Sequence, residues 1–129
     1  MRTNTFFRRF LTAVALVASL VGVTVSLTAC STPQNVDMST VTAVIDVRTP
    51  AEFATGHLDG AINIDWEGAT FADNVAALDP NGTYLLYCRS GNRAGQAKAA
   101  MESLGFTHLT NLGSVEDAST ATGIAIVTN

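Results

Sequence analysis

One stretch, Tyr87-Cys88-Arg89-Ser90-Gly91-Asn92-Arg93, concentrates the residues of this chain that could do chemistry. Cys88 closes an apolar run and is followed by two arginines and a glycine, with no acid among them. A thiol attacks as its thiolate, whose ordinary pKa of about 8.5 falls to roughly 3.5–7.5 beside cations or at a helix N-terminus. A strand that turns directly into a helix supplies curled backbone N–H groups and the positive end of the helix dipole. Gly91 permits the positive φ that so tight a turn needs. The pattern points to covalent catalysis at Cys88 with an anionic reactant, favoured by Arg89 and Arg93. A merely buried core cysteine would need none of these neighbours.

The rest of the chain makes that concentration of charge unusual. Of seven Lys and Arg in 129 residues, Arg2, Arg8 and Arg9 fall in the first ten. Four remain (Arg48, Arg89, Arg93 and Lys98) against eleven acids, a formal net charge of −7 for residues 30–129. Such a surface disfavours nucleic acid and anionic lipid as partners.

The basic opening segment precedes the uncharged run Leu11–Leu27 and then Leu27-Thr28-Ala29-Cys30, which resembles a bacterial lipobox. The expected organisation is a lipoprotein signal peptide over 1–29, lipidated Cys30 heading a flexible linker over 30–40, and a folded domain over 41–129. The domain would then be extracytoplasmic, held on the periplasmic or cell-surface side of a bacterial membrane through the lipid on Cys30. An uncleaved anchor is the competing reading, because Leu11–Leu27 lies at the short end of the roughly 17–25 residues that span a bilayer. A Cys30–Cys88 disulfide requires that the lipobox reading fail.

Elements that could position Cys88 follow from the apolar pattern. Val41–Val47 is rich in β-branched residues and reads as a buried strand. Thr49 and Pro50 suit the cap and first position of a helix. Gly56 and Gly60 bracket a turn into a short strand, Ala61–Ile64. Phe71, Val75 and Leu78 fall at helical spacing before the turn Asp79-Pro80-Asn81-Gly82. Thr83–Tyr87 reads as a central strand. A helix beginning near Asn92, with Ala97, Ala100, Met101 and Leu104 on one face, stops at Gly105. Thr107–Thr110 is a further strand, Gly113 begins a last helix, and Gly123–Val127 is an edge strand of undetermined position. Strands alternating with helices predict an α/β sandwich with a mainly parallel sheet, whose sites form at strand carboxyl ends. Arg48 and Cys88 both lie just past such ends.

Several segments together resemble a single-domain rhodanese-like sulfurtransferase, most like the small exported members of that family. They are Val44-Ile45-Asp46-Val47-Arg48, Glu52-Phe53, the run Gly56–Ile64, Tyr87–Arg93, Gly95–Lys98 and Leu104–His108. The match covers Val41 to Asp117. Gly113-Ser114 departs from it, since two glycines are common there, and the aromatic residue often found in the last helix is absent. The resemblance implies a three-layer α/β/α domain that moves a sulfane sulfur from thiosulfate, or a related donor, to cyanide or a thiol through a Cys88 persulfide. It implies Arg89, Ser90, Gly91, Asn92 and Arg93 as the substrate-binding loop, with no metal and no organic cofactor. Cysteine phosphatases use a similar loop with one more residue before the arginine, so the four residues between Cys88 and Arg93 favour sulfur over phosphate. The alternative function is a non-catalytic, tethered persulfide- or anion-binding or sensor module.

The remaining polar residues carry supporting expectations. Asp46 organises the strand end and the Cys88 loop, and Arg48 and Glu52, four apart, can pair. His57 reads as a hydrogen-bonded structural histidine rather than an acid–base group. His108 has no evident partner. One interior cysteine and scattered histidines argue against a zinc site. Trp66 and Phe71 suit either the core or a substrate mouth.

Overall fold

The computed structural model describes residues 35–128. The leader, Cys30 and the start of the linker, with the lipidation and disulfide readings, lie outside the described residues. Among the described residues no helix is long and apolar enough to cross a membrane.

Four strands form an all-parallel sheet in the order β3-β1-β4-β5. They are β1 (Ala43–Asp46), β3 (Ile62–Asn63), β4 (Thr83–Tyr87) and β5 (His108–Asn111). Central β1 pairs with β4 from Ala43↔Tyr84 to Asp46↔Tyr87, and β4 pairs with β5 from Thr83↔His108 to Leu86↔Asn111. Because side chains alternate along a strand, each central strand feeds both faces of the sheet. Ile45, Val47, Tyr84, Leu86 and Cys88 pack with Phe71 and Val75 of α2 (Phe71–Ala76) and with Ala94, Ala97 and Met101 of α3 (Asn92–Ser103). Val44, Leu85 and Tyr87 face the other way, onto Leu58 and onto Val115 and Ala118 of α4 (Val115–Thr122). The α/β/α layering follows from that alternation.

The short segments refine the expectations. The turn between Gly56 and Gly60 contains a strand, β2 (His57–Leu58), which pairs antiparallel with β6 (Ile126–Val127) in a second, two-stranded sheet. This gives the carboxyl-terminal strand its place. Helix α1 (Pro50–Thr55) is capped reciprocally: the Thr49 hydroxyl accepts the Glu52 N–H, and the Glu52 carboxylate accepts the Thr49 N–H. Trp66 meets Phe71 edge-to-face at 4.9 Å against the main core. His57 is buried, stacked on Phe53 with ring centroids 3.6 Å apart, and its Nδ1 lies 2.9 Å from the Phe53 carbonyl oxygen. That is the structural role expected of it. His108 is exposed, and the Thr107 hydroxyl lies 3.0 Å from its Nδ1.

The strand order reverses between β1 and β4, since the chain leaves β1 toward β3 on one side and leaves β4 toward β5 on the other. The carboxyl ends of two such strands diverge into a crevice where α/β sheets bind ligands. Arg48 lies past the end of β1, and Cys88 is the first residue past the end of β4.

Candidate active site

Cys88 is 1% exposed, has no disulfide partner among the described residues, and lies at the floor of the loop that joins β4 to α3. The loop reverses at Gly91, which has φ of +90°. A Cβ there would lie 3.1 Å from the Gly113 Cα, so both the torsion and the space call for glycine. The turn brings the Gly91 N–H to 3.0 Å from Cys88 Sγ. Burial alone would push the Cys88 thiol up, but the backbone N–H groups of Ala94, Ser90, Gly91 and Arg93 outweigh it and hold the thiol below its ordinary range. The sulfur occupies the place of a capping oxygen. Gly91 gives α3 no side-chain cap, and the first turn of that helix carries no acid.

The arginines contribute differently from each other and from expectation. The Arg93 guanidinium does not stand unopposed beside the sulfur. Its two terminal nitrogens each lie 2.8 Å from one oxygen of Glu52, and Nη1 lies 3.4 Å from Glu67. This bidentate hydrogen bonding holds the Glu52 carboxyl down to about 2 and pushes the Arg93 guanidinium further up. The expectation of two cations free of acids is therefore corrected at Arg93: acids distant in sequence fold against it, and the hydrogen bond it gives Cys88 comes from its backbone N–H. Arg89 is exposed and makes no ion pair among the described residues. Ser90 is exposed and gives its N–H to the cradle, while the Asn92 Oδ1 accepts from Gln96 Nε2 at 2.6 Å on the outer face of α3.

Asp46 and Arg48 form a unit of their own. The buried Asp46 carboxylate accepts from the Arg48 N–H at 2.9 Å, from Nε at 3.0 Å and from Nη2 at 2.6 Å. Arg48 Nη2 also donates to the Gly56 carbonyl at 2.6 Å, and its guanidinium carbon lies 5.8 Å from the centre of the Tyr87 ring. Burial opposes the Arg48 charge, but hydrogen bonds to Asp46 more than offset it and push the group up. Asp46 thus organises the end of β1, as expected, but its hydrogen bonds among the described residues do not reach the Cys88 loop. The Arg48–Glu52 pairing that their spacing allowed is replaced by Arg48–Asp46 and Arg93–Glu52. A contact between two residues apart and another between forty-one apart won over the helical i,i+4 option.

Two groups that sequence reasoning did not place at the site touch the loop. The Gly113 carbonyl accepts the Cys88 N–H at 3.0 Å. Asn111, at the end of β5, lies against both Gly91 and Gly95. No motif singled out Asn111. The departure at Gly113-Ser114 is accommodated without strain: Gly113 takes φ of +88°, and the Ser114 side chain accepts from the Asp117 N–H to cap α4. Among the described residues no group of His, Cys, Asp and Glu side chains converges to hold a metal ion.

A loop of N–H donors around a cysteine, at the strand ends of a parallel α/β sheet of this order, fits a rhodanese fold, and comparison with known proteins assigns it. Residues 32–118 match the rhodanese-like domain family, and the chain belongs to that family. It is 38% identical over 73 residues to thiosulfate sulfurtransferase PspE of Escherichia coli (strain K12), covering 57% of this chain and 70% of that protein. It is 35% identical over 69 residues to thiosulfate sulfurtransferase GlpE of Pseudomonas aeruginosa (strain LESB58), covering 54% of this chain and 61% of that one. Among solved structures, a rhodanese with anions from E. coli superposes with a TM-score of 0.57 at 33% identity, over 67% of this chain and 98% of that chain.

Proposed function

We propose that this protein is a thiosulfate sulfurtransferase in which Cys88 carries the sulfur. The observation that carries the reading is the Gly91 N–H at 3.0 Å from Cys88 Sγ, at the uncapped N-terminus of α3. The Cys88 thiolate attacks the outer sulfur of thiosulfate. A new S–S bond forms as the old one breaks, and sulfite leaves with the bonding electron pair. The persulfide keeps one negative charge on its terminal sulfur, within reach of loop N–H groups that stabilise anionic sulfur throughout. Cyanide, or a thiolate, then attacks that terminal sulfur and returns Cys88 as the thiolate. Covalent transfer divides one difficult displacement into two easier ones.

Arg89, exposed and free of carboxylate partners among the described residues, is the side chain that meets the incoming dianion. Arg93 acts through its backbone N–H and through its tie to Glu52. The names of the relatives PspE and GlpE support thiosulfate as donor. The same reading extends to placement: Cys30 is lipidated and tethers the domain on the outer side of a bacterial membrane, supported by the sequence Leu27-Thr28-Ala29-Cys30 behind a basic, then apolar, leader. Unmodified Cys30 in the intact mass of the membrane-extracted protein would refute the tether.

A cyanide-coupled thiosulfate assay tests the function. Thiocyanate should form with the wild-type protein and not with Cys88→Ser. An anion-binding module without turnover would form none with either.

A further inference from the structure

We propose that Asn111 is a positioning residue for the Cys88 loop, closing a ring of hydrogen bonds that begins at the Cys88 amide and ends at its sulfur. The inference rests on Cys88 being the reactive sulfur and adds what holds its donors in place. The Cys88 N–H donates to the Gly113 carbonyl at 3.0 Å, and the Gly113 N–H donates to Asn111 Oδ1 at 3.0 Å. Asn111 Nδ2 donates to the Gly91 carbonyl at 2.8 Å, and the Gly91 N–H donates to Cys88 Sγ at 3.0 Å. Each link places a donor against an acceptor, and the ring returns to the residue where it started.

The ring requires an amide. Position 111 must accept on one atom and donate on the other within one planar group, and only one orientation of the Asn111 side chain does both. A carboxylate would set an oxygen against the Gly91 carbonyl oxygen and bring a negative charge toward the sulfur. An apolar side chain would leave the Gly113 N–H without that acceptor. The Asn111 backbone is anchored by its register with Leu86 at the end of the β4–β5 ladder. Its amide therefore ties the β4–α3 loop to the β5–α4 loop from a rigid element. Gly91 is the joint of that tie: its torsion aims the N–H at the sulfur, while Asn111 Nδ2 and the Gly95 N–H (2.9 Å) both hold its carbonyl.

Asn111 is itself exposed, so replacing it opens no core cavity and its effect should register at the loop rather than in the fold. Arg89 and Arg93 are the charges on the loop and the start of α3. Glu52 of α1 and Glu67 reach the loop through Arg93, and Asp117 of α4 lies beside Gly113. None of these changes in the variants that follow.

The test is the pH dependence of iodoacetamide alkylation in the full-length protein, read at the Cys88 peptide by mass spectrometry so that Cys30 does not contribute. Losing the tie loosens a donor to the thiolate, so the Asn111→Ala midpoint should rise by roughly half to one pH unit. The Asn111→Asp midpoint should rise further, since the added charge also opposes the thiolate. Thermal unfolding of each variant separates the structural contribution. A lowered melting temperature with an unmoved alkylation midpoint in both variants would overturn the proposal, as would no change in either quantity. Should Asn111→Asp fail to fold, Asn111→Ala alone decides by the same criterion. Sulfur uptake from thiosulfate by the wild type is scored separately. No uptake alongside a shifted midpoint would remove the transferase reading and leave the ring standing.

Discussion

Helices α3 and α4 begin alike and end their first turns differently. Each follows a parallel strand and a glycine with positive φ, and each must satisfy the orphan N–H groups of its first turn. Helix α4 does so internally: Ser114 accepts from the Asp117 N–H, and the Asp117 carboxylate accepts the Ser114 N–H in return. Helix α1 uses the same reciprocal device with Thr49 and Glu52. Helix α3 has no side-chain cap and no acid in its first turn, and the Cys88 sulfur sits where a capping oxygen would be. Helix α2 also lacks a side-chain cap, but Asp73 occupies its first turn. A capped helix end is closed to other anions. An end capped by a sulfur can exchange a thiolate for a persulfide and remain capped, so the open cap at α3 is the structural condition for the chemistry.

Closing that cap should have the largest effect. Gly91→Asp adds a carboxylate that competes for the same N–H groups, and its Cβ would meet the Gly113 Cα at 3.1 Å. Alkylation of Cys88 should require a pH higher by about one unit or more, and sulfur uptake from thiosulfate at neutral pH should slow about 10-fold or more. Comparing rates at matched thiolate fraction shows how much of the loss is charge.

Glu52→Gln acts on a capped end and the open one together. It weakens the α1 capping box and the bidentate tie to Arg93, for about 1–2 kcal/mol of stability after allowance for partial exposure. Because the folded-state pKa of Glu52 is depressed, its stabilisation is fully present above the ordinary value of 4.5 and lost as pH falls toward about 2. The unfolding midpoints of wild type and Glu52→Gln should therefore converge across that window. Parallel curves would contradict the ion pair.

Ser114→Ala supplies the control, removing the cap from the helix that has one. It should cost about 1 kcal/mol in denaturant unfolding while leaving the pH midpoint of Cys88 alkylation in place. Arg89→Ala should be milder still. Its side chain is exposed and unpaired among the described residues, so stability should hold and the KM for thiosulfate should rise on the order of 2- to 5-fold.

What could be read from sequence was what is local in sequence. Thr83–Tyr87 is an apolar run, Gly91 a turn residue and Asn92–Ser103 a helical pattern, so Cys88 falls at a strand–helix junction whatever the rest of the chain does. Thr49 and Pro50 mark the start of α1 by residue type alone, whereas the return bond from Glu52 that completes the capping box shows only in the structure. Contacts between distant segments were not legible. Spacing offered Arg48 to Glu52, but the fold gives Arg48 to Asp46 and brings Glu52 to Arg93, forty-one residues on. Two-residue strands such as His57–Leu58 and Ile126–Val127 carry too few residues for a period to show, so their pairing was invisible. Asn111 is an ordinary polar residue at a strand end until the loops on either side of it close. Side-chain identity marks a site, but its supports come from the topology.

Whether Cys88 carries the sulfur is decided by intact-mass analysis of the protein after incubation with thiosulfate. The wild-type chain should gain the mass of one sulfur atom, roughly 32 Da, mapped to the Cys88 peptide and removed by cyanide or a small thiol. Cys88→Ser, which nearly preserves shape, should fold, gain none and turn over no thiosulfate. Sulfur on the wild type that maps elsewhere, or a folded Cys88→Ser protein that converts thiosulfate and cyanide at the wild-type rate, would contradict the mechanism.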